Sequence, residues 1–315
     1  MQRGTCLSCR LGDIVMNTSV KIAGVEFRNP IVTASGTFGS GEEYSEFVDL
    51  SALGGVITKG VASIPWEGNP TPRICETASG MLNAIGFQNP GVDVFLKRDL
   101  PFLEQQDTRI IVNVVGKTTE EYCDAVEKLQ DSKADLLEIN ISCPNVKEGG
   151  IAFGQSPSTI EQITAAVKKV SKKPIIMKLS PNVTDIKESA RAAQAGGADA
   201  LSLINTITGM KIDVCKRKFA LANRTGGLSG PAIHPVAVRM VYEVYQAVNL
   251  PIIGMGGVVS AEDALELIMA GATAVAVGTG NFYDPTISLK IVEGIRTYME
   301  QYQVQDIREL IGCVH

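Results

Sequence analysis

A single thiol stands between a stiff and a pliable stretch of chain. Asn140-Ile-Ser-Cys-Pro-Asn145 follows a strand-like apolar run, and Gly149-Gly150 lies just beyond it. Pro144 ends regular strand pairing and restricts Cys143 to extended backbone. The thiol is therefore held rigidly just past a strand end. A thiolate can act as base or nucleophile, with an ordinary pKa near 8.5. A lone cysteine can equally be an inert strand terminus, so its neighbours must decide. Two lysines, Lys59 and Lys178, and four asparagines, Asn113, Asn140, Asn145 and Asn205, lie in or just beyond similar apolar runs. Buried polar groups need partners, and a ligand rich in donors and acceptors would provide them.

Other chemistries have little to work with. There are two histidines. His315 is terminal, and His234 reads as a surface or capping residue at a helix start. A His-based triad or metal cluster is disfavoured on that count, and no metal site is expected. No carboxylate pair stands out near the apolar runs. Cys6-x-x-Cys9 has no second pair downstream, which argues against zinc. The seven cysteines are odd in number and mostly far apart, as in a reduced cytoplasmic protein. A net charge of −5 with no basic stripe argues against a nucleic-acid partner. No apolar run approaches the ~20 residues of a membrane span, and the N-terminus lacks a signal-peptide core.

The elements that must position these residues follow from periodicity. Short apolar runs at 31–34, 55–58, 110–115, 136–141, 175–179, 200–204, 252–255 and 274–277 read as strands, several of them buried on both faces. Helical patterns occupy 119–130, 158–170, 185–195, 235–247, 261–270 and 286–301 between them. Eight alternations predict an α/β chain folded as a closed (β/α)8 barrel, with an open doubly wound sheet as the alternative. A hairpin turning at Ala23-Gly24 precedes the barrel. Residues 64–105 form a long insertion between the second and third units, placed as a lid or binding loop. Residues 1–18 read as a disordered extension, and 19–315 as one domain.

The working face of such a barrel is the C-terminal ends of its strands. Those ends carry Ser35, Lys59-Gly60, Asn113, Asn140, Lys178, Asn205-Thr206, Gly256-Gly257 and Gly278-Thr279. Glycines after strands seven and eight suit a phosphate bound by backbone N–H groups. Gly226-Gly-Leu-Ser-Gly230 reads as a third loop of that kind. Gly36-x-x-Gly39-x-Gly41 has the wrong spacing for a dinucleotide fingerprint.

These residues resemble the dihydroorotate dehydrogenases from about residue 20 to 299. The shared motifs include Asn29-Pro30 with Ala34-Ser-Gly-Thr37, Thr58-Lys-Gly60, Gly68-Asn-Pro70 with Pro72-Arg73, and Gly80-Met-Leu-Asn-Ala-Ile-Gly86 with Gln88-Asn-Pro-Gly91. Asn140-Ile-Ser-Cys-Pro-Asn145, Lys178-Leu-Ser-Pro-Asn182, Ile204-Asn-Thr206 and Gly226-Gly-Leu-Ser-Gly-Pro231 complete them. Membrane-bound, quinone-using members have serine at the position of Cys143, so the resemblance is to the cysteine branch. Asn145-Val-Lys-Glu-Gly-Gly150 and Leu201-Ser-Leu-Ile-Asn-Thr206 look most like the catalytic subunit of the NAD-dependent type.

The resemblance implies one FMN per chain, contacted by Ser35, Lys59, Gly60, Asn113, Asn140, Lys178 and Ile204, with Gly230, Gly256, Gly257, Gly278 and Thr279 at its phosphate end. It implies a dihydroorotate site formed by Lys59, Asn83, Ala84, Ile85, Gly86, Phe87, Asn140, Asn145, Asn205 and Thr206. Phe87 stands where a leucine is expected. Cys143 would be the base for the C5 proton, Lys178 would face the flavin's developing charge, and Lys59 the substrate carboxylate. The Gly149-Gly150 loop would close over the site. It further implies (S)-dihydroorotate oxidation in de novo pyrimidine (UMP) synthesis by a cytoplasmic homodimer. That dimer would join an iron–sulfur subunit carrying FAD and [2Fe–2S], which passes electrons to NAD+ in a heterotetramer. A fumarate-using homodimer, a dihydropyrimidine-reducing flavoenzyme and a non-catalytic flavin-binding barrel remain the alternatives.

Overall fold

The computed structural model describes residues 16–142, 154 and 156–315. Cys143, Asn145, Gly149, Gly150 and the Cys6/Cys9 pair lie outside the described residues. The chain opens with the expected hairpin, β1 (Val20–Ile22) and β2 (Val25–Phe27). Ala23 and Gly24 both take positive φ, 49° and 88°, the conformation that lets a two-residue turn follow the twist of its strands.

Eight parallel strands then close into a barrel: β3 (Ile31–Thr33), β4 (Gly55–Ile57), β7 (Arg109–Val114), β8 (Leu136–Asn140), β9 (Ile175–Lys178), β10 (Ala200–Leu203), β15 (Ile252–Met255) and β16 (Ala274–Val277). Each matches an apolar run read from the sequence, because helices cover one face and the barrel core the other. Register brings polar side chains level on adjacent strands. Asn113 lies opposite Glu138, and Asn140 opposite Lys178. The helices start where capping side chains satisfy free backbone N–H groups. Thr118 accepts from Glu121 N at 3.2 Å, and Ser260 from Asp263 N at 3.1 Å.

The rim departs from the expectation of a plain loop. The 64–105 insertion contains a β-hairpin, β5 (Ile74–Thr77) and β6 (Gly80–Asn83). It joins β11 (Ile207–Met210) and β14 (Thr225–Ser229) in a separate sheet of order β11-β14-β6-β5. A short ribbon, β12 (Ile212–Asp213) with β13 (Lys218–Phe219), extends from it. Gly226 and Gly227 are thus strand residues, not the start of a phosphate loop. A Cβ on Gly227 would fall 1.9 Å from Thr206 Oγ1, and one on Gly226 would fall 2.8 Å from the Asn83 carbonyl. Close packing of the rim sheet explains both glycines.

Residues 16–18, assigned to the extension by sequence, belong to the folded body. Asn17 donates to Asp306 at 2.9 Å and its carbonyl accepts from Ile307 N at 2.9 Å, joining the start of the described chain to its end.

Candidate active site

One cleft opens at the C-terminal ends of the barrel strands. Counting its open mouth, it encloses about 1260 Å³. All twelve residues expected around a cofactor line it. Ser35, Lys59, Gly60, Asn113, Asn140, Lys178 and Ile204 line it, and so do Gly230, Gly256, Gly257, Gly278 and Thr279 beyond strands β14, β15 and β16. Of the expected substrate residues, Asn83, Ile85, Gly86, Phe87, Asn205 and Thr206 also line it. Ala84 does not: its side chain is buried with Leu82 and Leu221 in a small cluster behind the rim sheet. Consecutive residues of an extended segment face opposite ways, so its neighbours can reach the cleft while Ala84 turns from it.

The floor is a connected set of polar side chains. Lys178 is 4% exposed and Glu138 is fully buried, with Nζ and carboxylate 3.9 Å apart. Lys178 also donates to Ser35 Oγ at 3.2 Å. The Glu138 carboxylate accepts from Asn113 Nδ2 and, at 2.7 Å, from Ser202 Oγ. Asn113 Oδ1 in turn accepts from Asn140 Nδ2 at 3.4 Å. Asn140 Oδ1 takes the Ser142 hydroxyl at 2.9 Å, and Ser142 Oγ accepts from Asn205 Nδ2 at 2.8 Å. Tyr122 reaches in from its helix to donate to the Asn140 carbonyl at 2.8 Å. Such a floor presents amide donors and acceptors beside a buried cation.

Beyond β15 the backbone itself lines the cleft. Gly256 and Gly257 have φ of 134° and 73°, a region that glycine enters without strain. A Cβ on Gly257 would lie 2.8 Å from both Gly230 O and His234 Cβ. His234 is buried rather than on the surface. Its Nδ1 lies 2.8 Å from Gly256 O, and its Nε2 lies 3.1 Å from Glu266. The Thr279 hydroxyl donates to Ser229 Oγ at 2.8 Å.

The family model for dihydroorotate dehydrogenase matches residues 17–299. The chain belongs to the dihydroorotate dehydrogenase family. Similar proteins named "Dihydroorotate dehydrogenase B (NAD(+)), catalytic subunit" include one from Lachnoclostridium phytofermentans, 66% identical over 299 residues, covering 95% of this chain and 100% of the relative. Another, from Alkaliphilus metalliredigens, is 61% identical over 299 residues, covering 95% and 99%. A crystal structure of DHODH in complex with ferulenol from Eimeria tenella superimposes with a TM-score of 0.80, covering 95% of this chain and 89% of that one. At 24% identity it supports the fold alone. Membership in the family implies a flavin cofactor.

Three features of this dehydrogenase cleft escaped the sequence reading. Glu138 sits inside an apolar run, and its charge was the available signal. Met81 and Phe282 line the cleft from the rim sheet and from the turn after β16, places that only the tertiary fold brings near. The partnering of His234 with Gly256 could not be read from a position described only as a helix start.

Proposed function

We propose that this chain is the catalytic subunit of an NAD-linked dihydroorotate dehydrogenase, oxidising (S)-dihydroorotate to orotate in pyrimidine biosynthesis. The observation carrying the reading is the convergence of Lys59, Lys178, Asn113, Asn140 and Asn205 on one cleft that ends in glycine backbone. The relatives' names favour NAD+ over fumarate as final acceptor.

The cofactor we assign is FMN, held within a single domain that takes in residues 16–18 as well as 19–315. The cleft fits it: polar groups at the floor suit a heteroaromatic ring, and Ile204 and Met255 give that ring an apolar wall. Backbone of Gly256, Gly257 and Gly278 with the Thr279 hydroxyl suits a phosphate. When bound, FMN supplies the hydride-accepting chemistry that side chains lack. Around it, Lys178 stabilises negative charge as it develops at the cleft floor. Lys59 holds the substrate carboxylate, and Asn83, Asn140, Asn145, Asn205 and Thr206 orient its amide edges with donors and acceptors that add no charge. Cys143 removes the C5 proton as a general base. Its thiol must ionise first, so activity rises towards alkaline pH.

Electrons leave through a second chain, which we assign as an iron–sulfur FAD subunit bound to a cytoplasmic dimer of this one. Among the described residues no helix is long and apolar enough to cross a membrane.

The test is anaerobic. Purified chain loaded with FMN is mixed with dihydroorotate and its visible absorbance followed, beside Cys143→Ala. Fast bleaching in the parent and slow bleaching in the variant is the expected result. A flavin-loaded parent that dihydroorotate leaves unbleached would overturn the reading. Dihydrouracil in the same assay tests the alternative substrate.

A further inference from the structure

Among the described residues, Glu138 is the one fully buried carboxylate and Lys178 the one buried ammonium. A buried charge is costly unless paired and hydrogen-bonded. Glu138 has no counterpart in the reaction assigned above, yet it sits beneath the cleft with Asn113, Ser202 and Lys178 around it.

An ionised carboxylate can only accept hydrogen bonds. That restriction propagates. Asn113 must turn its NH2 group to Glu138, which leaves its oxygen for Asn140 Nδ2. Asn140 must then offer its oxygen to the Ser142 hydroxyl. Asn205 beyond it is oriented by backbone: its Nδ2 donates to Ser142 O at 3.1 Å and its Oδ1 accepts from Thr206 N at 2.8 Å. One charge therefore selects the amide orientation of Asn113 and, together with the Ser142 backbone N–H, that of Asn140. It also balances the cation that faces the ligand.

We infer that Glu138 is a positioning residue of the cleft: it is the counter-ion of Lys178, and it sets the donor and acceptor pattern of Asn113 and, through it, Asn140. This rests on the flavin reading given above. A glutamine at 138 keeps the shape but can both donate and accept, so it removes the charge and the directional rule together. Aspartate keeps the charge and shortens the reach.

The decisive measurement is the midpoint potential of bound FMN, by anaerobic dye equilibration, in the parent, Glu138→Gln and Glu138→Asp. Reduction adds negative charge near Lys178, and removing the carboxylate leaves that cation unbalanced. An opposite charge within ~4–6 Å is worth about tenfold or more in an ionic equilibrium. Glu138→Gln should therefore raise the reduced-to-oxidised ratio at a fixed potential about tenfold, and Glu138→Asp far less. Equal shifts in both variants, no shift, or a shift of opposite sign in Glu138→Gln overturns the inference.

Where Glu138→Gln does not hold flavin or fold, the Lys178→Met/Glu138→Gln pair decides. Thermal unfolding is compared among the parent, both single variants and the double. A counter-ion role makes the double variant more stable than Glu138→Gln alone, since no unpaired charge is left buried. A double variant less stable than either single overturns it. A parent that fails to bind FMN sinks the flavin reading instead, while the unfolding comparison still tests the pair.

Discussion

The two ends of the barrel use the same residue types to opposite purpose. At the N-terminal end, charges are paired within the protein and half open to water. Lys168 lies 2.5 Å from Asp199, which also accepts from Ile175 N at 2.8 Å. Arg109 meets Asp135, which accepts from Ile110 N at 2.8 Å. Lys173 donates to the carbonyls of Ser132 and Ala134. At the C-terminal end the lysine is sealed: Lys178 is 4% exposed where Lys168 is 38%. Exposed pairs contribute little, and a sealed pair carries a desolvation penalty. Structure alone explains the first kind, whereas the second makes sense as a surface prepared for a ligand.

Substitutions can break this contrast. Cys143→Ala at the working end should lower the rate of flavin reduction by about 10²–10⁴-fold and abolish its alkaline rise, read by anaerobic stopped flow across pH. Lys178→Met should cost about 10²–10³-fold in the same step, with the far-ultraviolet circular dichroism unchanged. At the other end, Asp199→Ala should leave the reduction rate unchanged. It should lower stability by about 1–2 kcal/mol, because two donors lose a partly exposed acceptor, as urea unfolding will show.

The smallest effect belongs to the Asn17–Asp306 clasp. Arg308 beside Asp306 holds its carboxyl well below the usual carboxylate range, with help from the Arg308 backbone N–H and Asn17. A carboxyl lowered in the folded state stabilises above its unfolded pKa, and that contribution is lost as pH falls through the folded value. Asp306→Asn should cost about 1 kcal/mol at neutral pH. The gap from the parent should narrow as pH drops below 3.8, the ordinary value. A gap that stays constant down to strong acid would assign the clasp to shape and not charge.

How much was legible beforehand follows the same divide. The eight barrel strands were readable because burial on both faces makes them short, continuous apolar runs. Strand ends were readable as a site because Lys59, Lys178, Asn113 and Asn140 are polar where burial is expected. The rim sheet was not. Its strands are half exposed and rich in glycine, and β6 pairs with β14 across most of the barrel sequence, so no local pattern announces it. The Ala84 side chain lies off the cleft because an extended stretch holds residues facing both ways. Glu138 was passed over because a single charge inside an apolar run looks like an interruption until its neighbours are known.

The pairing of β6 with β14 has a consequence during synthesis. Asn83 and Gly227, which meet across it, are separated by 144 residues. At ~5–20 residues per second, a ribosome takes roughly 7–30 s to deliver the second after the first. Throughout that interval the β5–β6 hairpin is exposed with one edge open, and an open edge is a template for the wrong strand. The newborn chain is thus vulnerable at the rim of its own cleft, and a nascent-chain protease or chaperone should find a mark there.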